Sequence, residues 1–416
     1  MSLTLVIIFL VLLSAKTIAE LYLSQLNRKE VQANADQIPE AFRDDIDEET
    51  YRKSVRYTLA KNAHNRIETI YSAIIIGLVV ATGFLAWLFD ALTGVLGTGV
   101  WGQALVLFSM MIVLYLPSIP FDYYDTFVLE EKFDFNTSSF GLWIMDKVKA
   151  FIFSVLIGVP VLALLFAIFD WLPNTWWFWG FVAFFVIQLL LMVLYPRVIE
   201  PFFYKLTPLE DGPLKERLLK LGERAGFSAN TILVKDGSTR SKHSNAYFTG
   251  FGRFRKIVLY DTLVEQLEPI ELESVLAHEI GHYKKGHIPK LLSISFITGL
   301  VHFAVMGWLA TQVWFYKGFG FDPSSGMGPI LLLFLILSSL ITFWTGPLSN
   351  RLSRKYEFEA DAFARALMGD DPLPLVKSLR KLNEKNLGNL TPHPTFSNFY
   401  YSHPTIQERE AALNGA

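Results

Sequence analysis

The sequence predicts an all-α multi-pass membrane protein that also carries a polar, cytosolic part with a small β-sheet. Two observations set the class. The 416 residues are 52% hydrophobic, 15% aromatic and only 18% charged, and a mean hydropathy of +0.34 is too apolar for an ordinary soluble globule. Seven apolar runs are long enough to cross a bilayer, and two polar stretches, 196–289 and 350–416, hold the side chains with metal-ligand spacing. A net charge of −2 gives no basic footprint, which argues against a nucleic-acid partner. The absence of cysteine excludes disulfides, thiol catalysis and Cys-type metal sites together.

Taken in order, the first run is 3–23, interrupted by Lys16 and Glu20. No Lys or Arg precedes it and no A-x-A site follows, so it reads as a retained span and not a signal peptide. The others are 70–89, 104–120, 150–169, 176–195, 291–316 and 330–348. Arg28, Lys29, Arg43, Arg52, Lys53, Arg56, Lys61 and Arg66 lie between spans one and two, and Lys132 and Lys147 between three and four. Segments 93–103 and 170–175 have no basic residue, and only Lys317 follows span six. The expected topology is an N-terminus outside and a C-terminus in the cytosol. Four regions result: 1–195 with spans one to five, 196–289, the span pair 290–349, and 350–416.

Within the first polar region, His278-Glu279-Ile280-Gly281-His282 matches HExxH. On a helix its two histidines are one turn apart and project from one face, where both can bind a single Zn2+. Glu279 then sits where it can take a proton from a water that the metal acidifies. A metzincin pattern is disfavoured, because its glycine and third histidine would fall at Lys285 and Ile288. Upstream, 231–234, Ala246–Thr249 and Lys256–Tyr260 read as strands of a short antiparallel sheet. Its edge is suited either to support or to holding an extended peptide beside Asn245, Ala246 and Tyr247.

Two crossings separate HExxH from a second acidic cluster just after span seven, so both return to the same side. There Glu357 and Asp361 are four apart on one helix face, and Glu359 points away from both. The pair can supply a third ligand and an orienting carboxylate, or it can be a solvated face paired to Arg354 and Lys355. In the tail, His403 and Arg409 are candidates to stabilise a tetrahedral intermediate or hold a substrate carboxylate. His64, His243, His287, His302 and His393 are read as structural.

The strings HEIGHYKKGH, SRKYEFEADAFA, SNAYFTG and SHPTIQER, with RYTLAK before span two, resemble the CAAX prenyl protease type 1 family of integral-membrane zinc endopeptidases. The resemblance runs through nearly the whole chain. It implies seven transmembrane helices around an intramembrane chamber, closed on the cytosolic side by a gluzincin-like domain. It also implies one Zn2+ on His278, His282 and Glu357, with Glu279 as general base and Asp361 orienting a ligand histidine. Asn245, Ala246, Tyr247, His403 and Arg409 would contact substrate. The implied partners are membrane lipid and a peptide or protein substrate, with or without a prenyl group. The oligomeric state stays open, a monomer being compatible. The chain ends Leu413-Asn-Gly-Ala416 without a dilysine-type signal, so a bacterial inner membrane is the expectation and the endoplasmic reticulum the alternative. Two competing readings are an HtpX-like quality-control protease, for which four spans are expected, and a transporter or lipid-binding protein with a closed structural zinc site.

Overall fold

The computed structural model describes residues 1–227, 231–249 and 256–415. The Gly-containing turn expected at 250–255 and the last residue, Ala416, lie outside them.

Among the described residues, six single helices are long and apolar enough to span: Leu3–Ala33, Val100–Glu130, Phe140–Trp171, Trp176–Phe202, His287–Leu309 and Met327–Leu367. A helix pair, Glu48–Ala81 with Phe84–Leu96, bent by 67°, makes the seventh. Span two is thus broken where a straight helix over 70–89 is expected. Thr82 bonds its hydroxyl back to the Leu78 carbonyl, 2.8 Å, and Gly83 takes a left-handed conformation (φ 75°) that starts a new helix direction. Span six stops at Leu309 instead of continuing to 316. The Thr311 hydroxyl bonds the Trp308 carbonyl at 2.8 Å, which competes with helix continuation, and Val313–Gly318 forms a separate short helix.

Span seven runs 41 residues without interruption, through Pro347, into the acidic cluster. At about 1.5 Å per residue it is about 60 Å long, twice the hydrocarbon thickness of a bilayer. Its first turns, Met327–Leu333, are buried in the membrane core with Phe9, Leu107, Met110, Phe166 and Phe181. Many outward apolar side chains, Ile341 and Leu348 among them, stay exposed as a lipid-facing surface requires. Two cavities of about 610 and 600 Å³ adjoin along spans one and two and share Glu20, Asn65 and Thr69.

The polar part holds a four-stranded sheet, β1 (Leu206–Pro208), β2 (Thr231–Lys235), β3 (Ala246–Thr249) and β4 (Lys256–Tyr260), ordered β1-β2-β4-β3. It is mixed, not purely antiparallel: β2 and β4 are parallel and β3 pairs antiparallel with β4. The cause lies in the connection after β2, which leaves the sheet to bond residues near the end of span three. Lys242 N donates to the Phe135 carbonyl at 3.0 Å, and Asn136 and Ser241 form an isolated bridge. The chain therefore re-enters at the edge instead of folding back as a hairpin. Ile232, Ile257 and Leu259 pack with Leu272, Leu276 and Ile280 of the HExxH helix in a second core.

Candidate metal centre and active site

The HExxH helix, Pro269–Lys284, begins with a proline in its first turn and a capping box in which Glu268 N donates to Glu271 at 2.8 Å. Its apolar stripe seats it on the sheet, which directs the adjacent stripe, carrying His278 and His282, towards span seven. Gly281 lies on that stripe against Ala360.

Three ligand-type side chains converge there. His278 Nε2 and His282 Nε2 are 3.1 Å apart, and they lie 3.4 and 3.2 Å from the Glu357 carboxylate oxygens. One ligand atom from each falls within 4.8 Å of the others. His278 Nδ1 donates to Asp361 Oδ1 at 2.8 Å. Arg409, buried on the helix Ile406–Asn414, grips the same carboxylate through Nε at 2.8 Å and Nη2 at 2.5 Å. Its Nη1 faces Glu357 at 3.8 Å. His403 Nε2 is 3.4 Å from Glu357 Oε1. The tail is tethered over the site by Arg354, which donates to the Tyr401 carbonyl at 2.7 Å, and by Asn350 to Phe399, also at 2.7 Å. The solvated pairing of Arg354 with the acids therefore does not occur.

The electrostatics favour positive charge. Burial alone would depress His278, yet hydrogen bonds to Asp361 and Glu357 outweigh it and lift its pKa to about 9. Burial also pushes the Glu279 carboxyl above its ordinary value. Glu279, Asn245, Ala246, His403 and Arg409 line one cavity of about 360 Å³ with His278 and Glu357. Asn386 lines both this cavity and the 610 Å³ one. Asn386 Oδ1 is 2.9 Å from His243 Nδ1, and His243 Nε2 is 3.2 Å from Glu130, which also accepts from Tyr57 and Lys61 of the RYTLAK stretch.

Tyr247 departs from its expected place. Its hydroxyl donates to Glu200, beside the buried Lys235–Glu200 pair, and its ring does not line the cavity. Four of the histidines read as structural have such surroundings. His64 stacks on Tyr124, His243 on Phe135, His302 meets Phe334 edge-on, and His393 caps the helix Pro394–Tyr400. His287 differs: its Nδ1 lies 3.0 Å from His282 Nδ1 and its Nε2 3.0 Å from Glu359 Oε2. The available signal was a histidine just past a glycine that ends the HExxH helix, which helical spacing rules do not reach.

Residues 27–205 match a family described as CAAX prenyl protease N-terminal, five membrane helices, and residues 208–416 match peptidase family M48. CAAX prenyl protease 1 of Saccharomyces cerevisiae is 34% identical over 406 residues, covering 91% of this chain and 88% of that protein. The CAAX prenyl protease 1 homolog of Homo sapiens is 31% identical over 440 residues, covering 95% and 92%. The crystal structure of S. mikatae Ste24p aligns with a TM-score of 0.89 at 33% identity, covering 98% of this chain and 99% of that one. Matched over most of its length in sequence and in fold, this multi-pass membrane metalloendopeptidase belongs to the CAAX prenyl protease 1 family.

Proposed function

We propose that the chain cleaves the C-terminal tripeptide from prenylated CAAX sequences, with one Zn2+ held by His278, His282 and Glu357. The observation that carries the site is the convergence of two imidazole Nε2 atoms and a carboxylate beside Glu279. The donors suit the ion. Both Nδ1 atoms are engaged elsewhere, so both Nε2 atoms turn to one point, 3.1 Å apart, and Glu357 Oε2 is buried without a hydrogen-bond partner. A shared cation satisfies all three. Among the described residues the converging group has three members, which leaves a fourth position open, as a catalytic site requires and a closed structural one does not.

When bound, zinc would polarise the scissile carbonyl and acidify the attacking water. Glu279 takes the proton from that water on its carboxylate and passes it to the leaving amide nitrogen. The peptide lies along β3, which among the described residues pairs on one side only, with Asn245 beside it. His403 Nε2 donates to the oxyanion. Asp361 takes two of the five donors of Arg409, one on Nε and one on Nη2, so both hydrogens of Nη1 remain to reach substrate. Prenylated CAAX substrates are supported by the names of the yeast and human relatives. Their organisms also favour a eukaryotic membrane, such as the endoplasmic reticulum, over a bacterial one. The Lys/Arg excess between spans one and two supports an outside N-terminus and a cytosolic C-terminus.

The test is release of the tripeptide from a farnesylated CAAX peptide by purified, detergent-solubilised protein, with Glu279→Ala alongside. Wild type alone should cleave. Zinc-loaded wild type without activity would reject the substrate class, and equal release by both would reject the catalytic assignment.

A further inference from the structure

We propose that His287 and Glu359 are positioning residues that orient the ligand imidazole of His282; this rests on the metal ligation proposed above. A histidine that offers Nε2 to a metal carries its proton on Nδ1, and that proton needs a fixed acceptor. For His278 the acceptor is Asp361, 2.8 Å away. His282 reaches no carboxylate through Nδ1; that atom meets Nδ1 of His287 at 3.0 Å.

Two Nδ1 atoms at that distance share one proton. Because His282 Nε2 belongs to the ligand cluster, the proton sits on His282 Nδ1 and His287 accepts it. The proton of His287 is then on Nε2, which lies 3.0 Å from Glu359 Oε2. Each tautomer follows from its partners. The relay from His282 through His287 to Glu359 gives the second histidine what Asp361 gives the first.

The local fold builds this relay. The HExxH helix ends at Lys284, left-handed Gly286 (φ 66°) turns the chain, and His287 opens span six beneath His282. Its ring, 1% exposed, stacks on Tyr356 at 4.1 Å with planes 11° apart. Tyr356 immediately precedes Glu357. A buried ring with both nitrogens engaged and a face clamped has one orientation. The three acids of this helix then divide the work: Glu357 ligates, Asp361 orients His278, and Glu359 orients His282 through an intermediary.

The experiment measures zinc affinity of the full-length, detergent-purified protein by competition with a chromophoric chelator, together with the melting temperature of the metal-free protein. Glu359 is 31% exposed, so its replacement is tolerated by the fold. Glu359→Ala is expected to weaken zinc binding about 10- to 100-fold with unchanged metal-free melting. Glu359→Gln, which keeps an oxygen acceptor, should recover most of the loss. Lys355→Ala removes the exposed 3.8 Å pair with Glu359 and should change nothing. Affinity of Glu359→Ala within twofold of wild type overturns the relay, as does an equal loss in Gln and Ala or in Lys355→Ala. His282→Ala separates the two levels. If it still binds zinc tightly, the metal assignment itself fails; if it loses zinc while Glu359→Ala does not, only the relay fails.

Discussion

Gly281 and Ala360 touch: a Cβ on Gly281 would lie 3.0 Å from both the Cα and the carbonyl oxygen of Ala360. The HExxH helix and span seven approach at backbone distance there, which lets the Glu357 carboxylate and Asp361 reach the two histidines. Gly281→Ala should cost about 1–3 kcal/mol through overpacking, and Gly281→Val should lower zinc content as well as melting temperature. Metal analysis and thermal unfolding check this; full zinc occupancy in the valine variant would show that the close approach is dispensable.

Glu279 shares the cavity with the ligand cluster without joining it. Glu279→Gln keeps the side-chain size but cannot accept the proton, so turnover should fall by at least about 10²-fold with zinc retained. Loss of the metal in this variant would mean that Glu279 holds the site together and is not the base.

The His403 side chain is 64% exposed and only its Nε2 approaches the cluster. His403→Ala should leave stability within about 0.5 kcal/mol and zinc content unchanged. A single oxyanion donor is worth about 10²–10³ in kcat, so the loss should fall on kcat and not on KM. A change confined to KM would place His403 in substrate binding alone.

The chain contains no cysteine, so single cysteines report topology without background. In sealed microsomes, whose cytosolic face is outward, Asn414→Cys should react directly with an impermeant maleimide, and Ser2→Cys only after permeabilisation. The reverse pattern would invert the assigned orientation.

Much of the site is legible because it obeys helical spacing. His278 and His282 are one turn apart, Glu357 and Asp361 likewise, and counting membrane crossings returns both pairs to one side. What hydropathy hides is that span seven does not stop at 348: the apolar signal ends there, whereas the helix does not. Nor does any local pattern show that β2 and β4 run parallel, because Lys242 and Asn136, which draw the connection out of the sheet, are far apart in sequence. His287 escapes for a related reason, since Gly286 breaks the periodicity by which its neighbours are recognised. The strand pattern puts Tyr247 at the same edge as Ala246, but successive side chains of a strand point to opposite faces, and the Tyr247 hydroxyl goes to Glu200.

The uninterrupted helix from Met327 to Leu367 makes the height of the active site a covalent length. Glu357 stands ten residues beyond Pro347, about 15 Å along the axis, and no hinge loop intervenes to absorb a change at the other end. The helix acts as a gauge rod planted in the bilayer. Where a bilayer is thinner than the apolar stretch of this helix, tilt is the accommodation open to it, and the height of Glu357 above the lipid falls with that tilt.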